Sequence, residues 1–249
     1  MTAPKQKRSV LGRIAAGAKI RVESLRLSPL ARRVRAERLT YLSPARLLHM
    51  EECLQRLRTE HIPGDLLEAG VALGGSAIVL ASRLDDTPGI RRRFRGYDVF
   101  GMIPAPSDRD GADAHGRYAV ISGGQSTGIA GDDYYGYQTD LERRVVANFE
   151  RHSLAVDGDR IRLVAGLFQD TLVLAESDVV AFAHVDCDWY DPVRLCLERI
   201  GPKLATGGLL LLDDYGDYEG CRKAVHDVLD RDATLEIVSL APNAILRKR

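Results

Sequence analysis

From Asp65 to the C-terminus, short apolar runs alternate with stretches of helical period, and this alternation restricts the chain to an open α/β sheet wrapped by helices. The expected strands are "DLLEAGVA" (65–72), "RGYDVF" (95–100), "RIRLVAG" (160–166), "VVAFAHVD" (179–186), "GGLLLLDDY" (207–215), "TLEIVSL" (234–240) and "AILRKR" (244–249). Helices are expected over 75–84, 138–152, 191–200 and 219–230. No helix separates the last two strands, which predicts a terminal antiparallel hairpin on a mostly parallel sheet. Residues 101–137 break the alternation. They are rich in Gly, Asp and Ser, show little periodicity and follow the second strand directly. Ligands bind beyond the carboxyl ends of such strands, so this insertion is expected to be a long loop serving as a lid or a substrate-recognition element.

The first 60 residues read as a separate N-terminal helical segment, with residues 61–249 as the sheet domain. Val10, Leu11, Ile14, Leu25, Leu27 and Leu30 recur at helical spacing, and Pro29 and Pro44 cut the segment into short helices. Residues 1–40 carry eleven Lys or Arg against two Glu, although the whole chain balances at 35 basic and 35 acidic residues. Zero net charge argues against nucleic acid as a partner. The basic amphipathic face is expected to pack on its own domain or on a sister subunit, which makes a homodimer the expected assembly. The apolar runs fall short of the roughly 18 to 20 residues a membrane helix needs, and no secretory leader is visible, so a cytoplasmic protein is expected. Its four cysteines, Cys53, Cys187, Cys196 and Cys221, lack zinc-type spacing and are expected to be reduced thiols.

Acidic residues cluster where strands should end. Asp186 and Asp188 in "HVDCDWYDP" close one predicted strand, and Asp213 and Asp214 in "LLLLDDYGD" close the next. If those strands are parallel neighbours, the carboxylates share one edge and repel unless a cation compensates. Oxygen ligands alone select a hard ion such as Mg²⁺. Helix capping is the competing use of nearby acids, with Asp191 and Asp217 suited to cap the following helices. At the first strand end, Gly70, Gly74 and Gly75 in "EAGVALGGSA" permit a tight turn before a helix beginning near Ser76. The spacing is not the dinucleotide fingerprint. Glu68 ahead of that turn would repel a diphosphate and attract a cationic sulfonium. Asp98, closing the second strand, is suited to accept from ribose hydroxyls.

The ordered set "LLEAGVALGGSA", "YDVFGMIPAPSDRDG", "GLFQDTL", "HVDCDWYDP" and "GGLLLLDDYGDYEGCRKAV" resembles the macrocin O-methyltransferase family from about Tyr41 to Val225. The resemblance implies a class I, Rossmann-like sheet of seven strands with the last antiparallel. It also implies an enzyme that uses S-adenosylmethionine and a divalent metal to methylate sugar or related hydroxyls. On these positions it implies Asp186, Asp213 and Asp214 as metal ligands, and Asp188 as general base. Glu68, Gly70 and Ser76 would form the cofactor turn and Asp98 the ribose contact. Tyr41 and Ser43 of "YLSP" would close over the methionine end. Two departures stand out: the insertion is longer than the usual family linker, and Leu73 replaces a frequently basic residue.

His115, in the insertion, is the second candidate base, because some members place a lid histidine near the acceptor. His184 is expected to be a hydrogen-bonded core residue, and His152 and His226 to lie on helix faces. Trp189 and Tyr190 are expected either to wall a sugar ring or to pack in the core. The acceptor is expected to be a glycosylated small molecule or an oligosaccharide such as a mannoside. Two rival functions remain at this point: a metal-dependent glycosyltransferase using "DCD", and a non-catalytic cofactor-binding protein.

Overall fold

The computed structural model describes residues 10–249, with side chains from Gly17 onward. The basic positions up to Arg8 and the side chains of Val10, Leu11 and Ile14 lie outside the described residues. All seven expected strands form: β1 (Asp65–Ala69), β2 (Phe94–Asp98), β3 (Ile161–Ala165), β4 (Val180–Val185), β5 (Leu204–Leu212), β6 (Leu235–Ser239) and β7 (Ala244–Lys248). They lie in the order β3-β2-β1-β4-β5-β7-β6. β1 through β5 pair in parallel, and β7 runs antiparallel between β5 and β6. The terminal hairpin and the mostly parallel sheet are both present.

Side chains alternate across the sheet with a period of two. Leu66, Phe94, Phe182, Leu209 and Leu211 enter one core layer, while Leu67, Ala183, Val185, Leu210 and Leu212 enter the other. The first layer is covered by α2 (Pro29–Ala36), α3 (Pro44–Thr59), α4 (Gly75–Ala81) and α6 (Leu141–Arg151). The second is covered by α8 (Tyr190–Ile200) and α9 (Glu219–Leu229), with the short α7 (Phe168–Thr171) at its margin. α1 (Val10–Arg26) lies against α3. Helices α2 and α3 therefore belong to the main core: Leu47 and Met50 of α3 are fully buried with Phe182 and Leu209, whereas Ile20, Val22 and Leu25 of α1 are exposed. Pro29 and Pro44 each occupy a first helical turn, where a missing N–H costs nothing.

The expected 101–137 loop is only partly a loop. It contains α5 (Ala112–Ser122), which buries Ala114 and Ile121. Small residues such as Gly116 and Ala119 blur the apolar stripe that would have marked this helix. No helix among the described residues is long and apolar enough to cross a membrane. Cys53, Cys196 and Cys221 are buried free thiols and Cys187 is partly buried.

β1 ends at Gly70, whose φ of +96° lies in the left-handed region; a Cβ there would stand 1.8 Å from the Asp186 carbonyl oxygen. Gly70→Ala must strain the backbone and push β4 aside, costing at least about 2 kcal/mol. A thermal melt should show a loss of at least about 4 °C. Gly116→Ala on α5, where a Cβ meets open space, should leave the melting temperature unchanged or raise it.

Candidate active site

Strand register builds the site. Val185 of β4 pairs with Leu212 of β5, so the next residues, Asp186 and Asp213, leave the sheet side by side. Asp214 follows in a 3-10 turn over Asp213–Gly216. One oxygen from each of Asp186, Asp213 and Asp214 lies within 4.8 Å of the others. Asp213 and Asp214 are buried and Asp186 is partly so. Burial first, and the neighbouring acids next, push the Asp186 and Asp214 carboxyls well above the carboxylate range. Arg46, paired with Asp213 at 2.7 Å, compensates part of this charge, and an all-oxygen set of this size fits a hard divalent ion.

Asp188 sits two residues beyond, with its backbone at φ +59°, an uncommon conformation for a non-glycine residue. Its N–H donates to Asp214 Oδ2 at 2.9 Å, which explains why the turn is held there. Burial raises its carboxyl to about 7; Arg117 opposes the shift, while Asp213 and Asp217 reinforce it.

Two cavities meet at Gly70, Asp98, Asp186 and Asp188. The larger, about 310 Å³, runs past Val99, Leu167, Phe168, Gln169 and Trp189. The smaller, about 220 Å³, is bounded by Tyr41, Arg46, Arg117, Tyr134 and the acids. Tyr41 makes an edge contact with Tyr135 at 5.7 Å, and the Arg117 guanidinium lies over the Tyr134 ring at 5.7 Å.

Several expected contacts are placed differently. Glu68 does not face either cavity: it is fully buried and accepts from His184 Nδ1 at 2.7 Å, which gives His184 its expected core partner. Asp98 lines both cavities, but it already accepts backbone N–H groups of Val71, Ala72 and Phe100 at 2.7 to 2.9 Å. Its first task is to shape the β1–α4 turn, and a ribose contact would be added to that. Ser43 is exposed and caps α3 through Arg46 N. Ser76 is buried in the first turn of α4. His115 is exposed on α5 and lines neither cavity; the residue of that helix facing the acids is Arg117. His152 ends α6 against Glu37, and His226 on α9 contacts the Tyr215 hydroxyl. Trp189 walls the larger cavity, whereas Tyr190 packs in the core.

The macrocin-O-methyltransferase (TylF) family model matches residues 35–238. The chain is 33% identical over 192 residues to 8-demethyl-8-(2,3-dimethoxy-alpha-L-rhamnosyl)-tetracenomycin-C 4'-O-methyltransferase of Streptomyces olivaceus, covering 77% of this chain and 68% of that protein. It is 28% identical over 214 residues to mycinamicin III 3''-O-methyltransferase of Micromonospora griseorubida, covering 84% and 78%. Among solved structures, the O-methyltransferase NovP superposes with a TM-score of 0.69 at 24% identity, covering 85% of this chain and 82% of that one. The calicheamicin methyltransferase CalS11 superposes at 0.62 and 21%, covering 99% and 98%. Both solved structures share the class I methyltransferase fold with this chain.

The helices following the two acid clusters are capped from the insertion, not by Asp191 or Asp217. Asp110 Oδ1 accepts from Tyr190 N at 2.8 Å at the start of α8, and Asp113 Oδ2 from Glu219 N at 2.8 Å at the start of α9. Asp191 instead pairs with Arg109 at 3.4 Å and Asp217 with Arg46 at 2.6 Å. The first half of the insertion is thereby clamped to the helices that carry the acids. A Cβ on Gly220 would stand 1.9 Å from Asp110 Oδ1, so the clamp needs a glycine there. Asp110→Ala should cost about 1 kcal/mol, read as a melting-point loss of about 2 to 4 °C. Gly220→Ala, normally stabilising within a helix, should lower the melting temperature as well.

Proposed function

This chain belongs to the macrocin O-methyltransferase family, and we propose that it transfers a methyl group from S-adenosylmethionine to a sugar hydroxyl, with Mg²⁺ held by Asp186, Asp213 and Asp214. The observation that carries this reading is the convergence of those three carboxylates within 4.8 Å, beside two joined cavities. The relatives named above methylate sugars on glycosylated natural products, and the same acceptor class, or an oligosaccharide, is proposed here. The glycosyltransferase assignment of "DCD" falls with family membership.

When bound, S-adenosylmethionine supplies an electrophilic methyl, and a divalent cation lowers the pKa of a neighbouring hydroxyl. The remaining work is done by the chain. Leu167 and Phe168 give the larger cavity an apolar wall suited to a nucleoside base, and the bare backbone of Gly70 leaves room where the cavities join. Tyr41, exposed at the smaller cavity, presents ring surface to an acceptor sugar, and Arg117, seated over the Tyr134 ring, offers it a hydrogen-bond donor. Asp188 accepts the hydroxyl proton on its carboxylate as the C–O bond forms and the C–S bond breaks. Burial favours the protonated form of its carboxyl, so it takes up a proton readily, and the Asp214 tether fixes its backbone. His115 lines neither cavity, so the proton acceptor proposed here is Asp188.

Calorimetric titration should show one equivalent of S-adenosylhomocysteine binding and no binding of nucleotide sugars; binding of nucleotide sugars alone would overturn the assignment. Asp188→Asn should lower turnover by about 10² to 10⁴-fold while leaving S-adenosylhomocysteine affinity intact. Undiminished turnover in that variant would remove Asp188 from the mechanism.

A further inference from the structure

The three proposed ligands are not held alike. Asp186 has no side-chain hydrogen bond among the described residues, and Asp214 receives the Asp188 N–H on one oxygen. Asp213 is engaged on both oxygens. Oδ2 accepts from Arg46 Nη1 at 2.7 Å, and Oδ1 accepts from Asn243 Nδ2 at 3.2 Å. Asn243 is 1% exposed, and its Oδ1 lies 2.6 Å from His49 Nδ1. Arg46 and His49 are three residues apart on α3 and so project from one face of that helix. Across the sheet, Leu212 of β5 pairs with Ala244 of β7, which brings Asn243 level with Asp213.

The donor order in this chain follows from chemistry. An ionised carboxylate only accepts, so Asn243 must turn its Nδ2 toward Asp213. Its Oδ1 is then left facing His49, which must carry a hydrogen on Nδ1. An apolar residue at 243 would leave Asp213 Oδ1 without its donor and the carboxylate held by Arg46 alone, and one at 49 would leave Asn243 Oδ1 unpaired and its amide less firmly oriented.

We infer that Arg46 and the His49–Asn243 pair are positioning residues for the Asp213 carboxylate, making the N-terminal helix α3 an outer layer of the metal site. This rests on the metal reading proposed above. Ligating carboxylates are oriented by such outer partners, whose loss weakens metal affinity about 10 to 100-fold.

Room-temperature electron paramagnetic resonance with Mn²⁺ as probe, paired with thermal melts, tests this. Asn243→Leu should weaken Mn²⁺ binding by about 10-fold or more. His49→Phe, which keeps α3 packed but removes the donor, should weaken it several-fold, and His49→Gln, which retains a donor, should recover most of the loss. Because the two His49 variants are read against each other, the test survives a failure of Asn243→Leu to fold. Folded variants that all bind Mn²⁺ within twofold of the wild-type chain would overturn this inference alone. A wild-type chain that binds no Mn²⁺ would overturn the metal reading and this inference with it.

Discussion

Like charges brought together at the carboxyl edge of β4 and β5 are the constraint around which the rest of this molecule is arranged. The parallel register of Val185 with Leu212 leaves Asp186 and Asp213 no separate exits from the sheet. Asp214 and Asp188 crowd the same edge, and desolvation raises three of these four carboxyls. Groups from distant parts of the chain answer that charge: Arg46 from α3, Asn243 ahead of β7, and the N–H of Asp188 itself. Each compensates part of the repulsion while leaving the Asp186 side chain and an oxygen of Asp214 without a hydrogen-bond partner among the described residues.

The same edge explains why the insertion is ordered. Its carboxylates at 110 and 113 satisfy the first N–H groups of α8 and α9, the two helices that begin immediately after the acid clusters. Orphan donors at a helix start are positive, so a carboxylate placed there gains both a hydrogen bond and a favourable dipole interaction. Arg117 and Tyr134 belong to the same insertion and bound the smaller cavity. Clamping therefore connects the fold to the wall of the smaller cavity, and variation elsewhere in the insertion can alter that wall without loosening the acids.

Strands and acids were legible in the sequence because both signals are local. Short apolar runs mark β1 to β7, and consecutive or alternate aspartates mark the strand ends. The outer partners of the acids carry no such mark: Arg46 and Asp213 are 167 positions apart, and nothing near Arg46 singles it out from its basic neighbours. Asn243 is an isolated amide in a turn. The placement of Glu68 is set by a similar long-range pairing. A carboxylate beside a glycine turn looks exposed to ligand, yet the pairing of β1 with β4 sets it opposite His184, with which it shares one hydrogen bond inside the sheet. Capping by Asp191 and Asp217 failed in the same way, since the carboxylates that cap come from about 80 and 106 positions away.

The most direct measurement of the central claim is methyl transfer to a sugar acceptor by protein stripped of divalent ions with excess chelator and then resupplied. Asp186, Asp213 and Asp214 acting together on a cation require the rate to collapse on stripping and to return when Mg²⁺ is restored. A full rate in the continued presence of chelator would contradict the account.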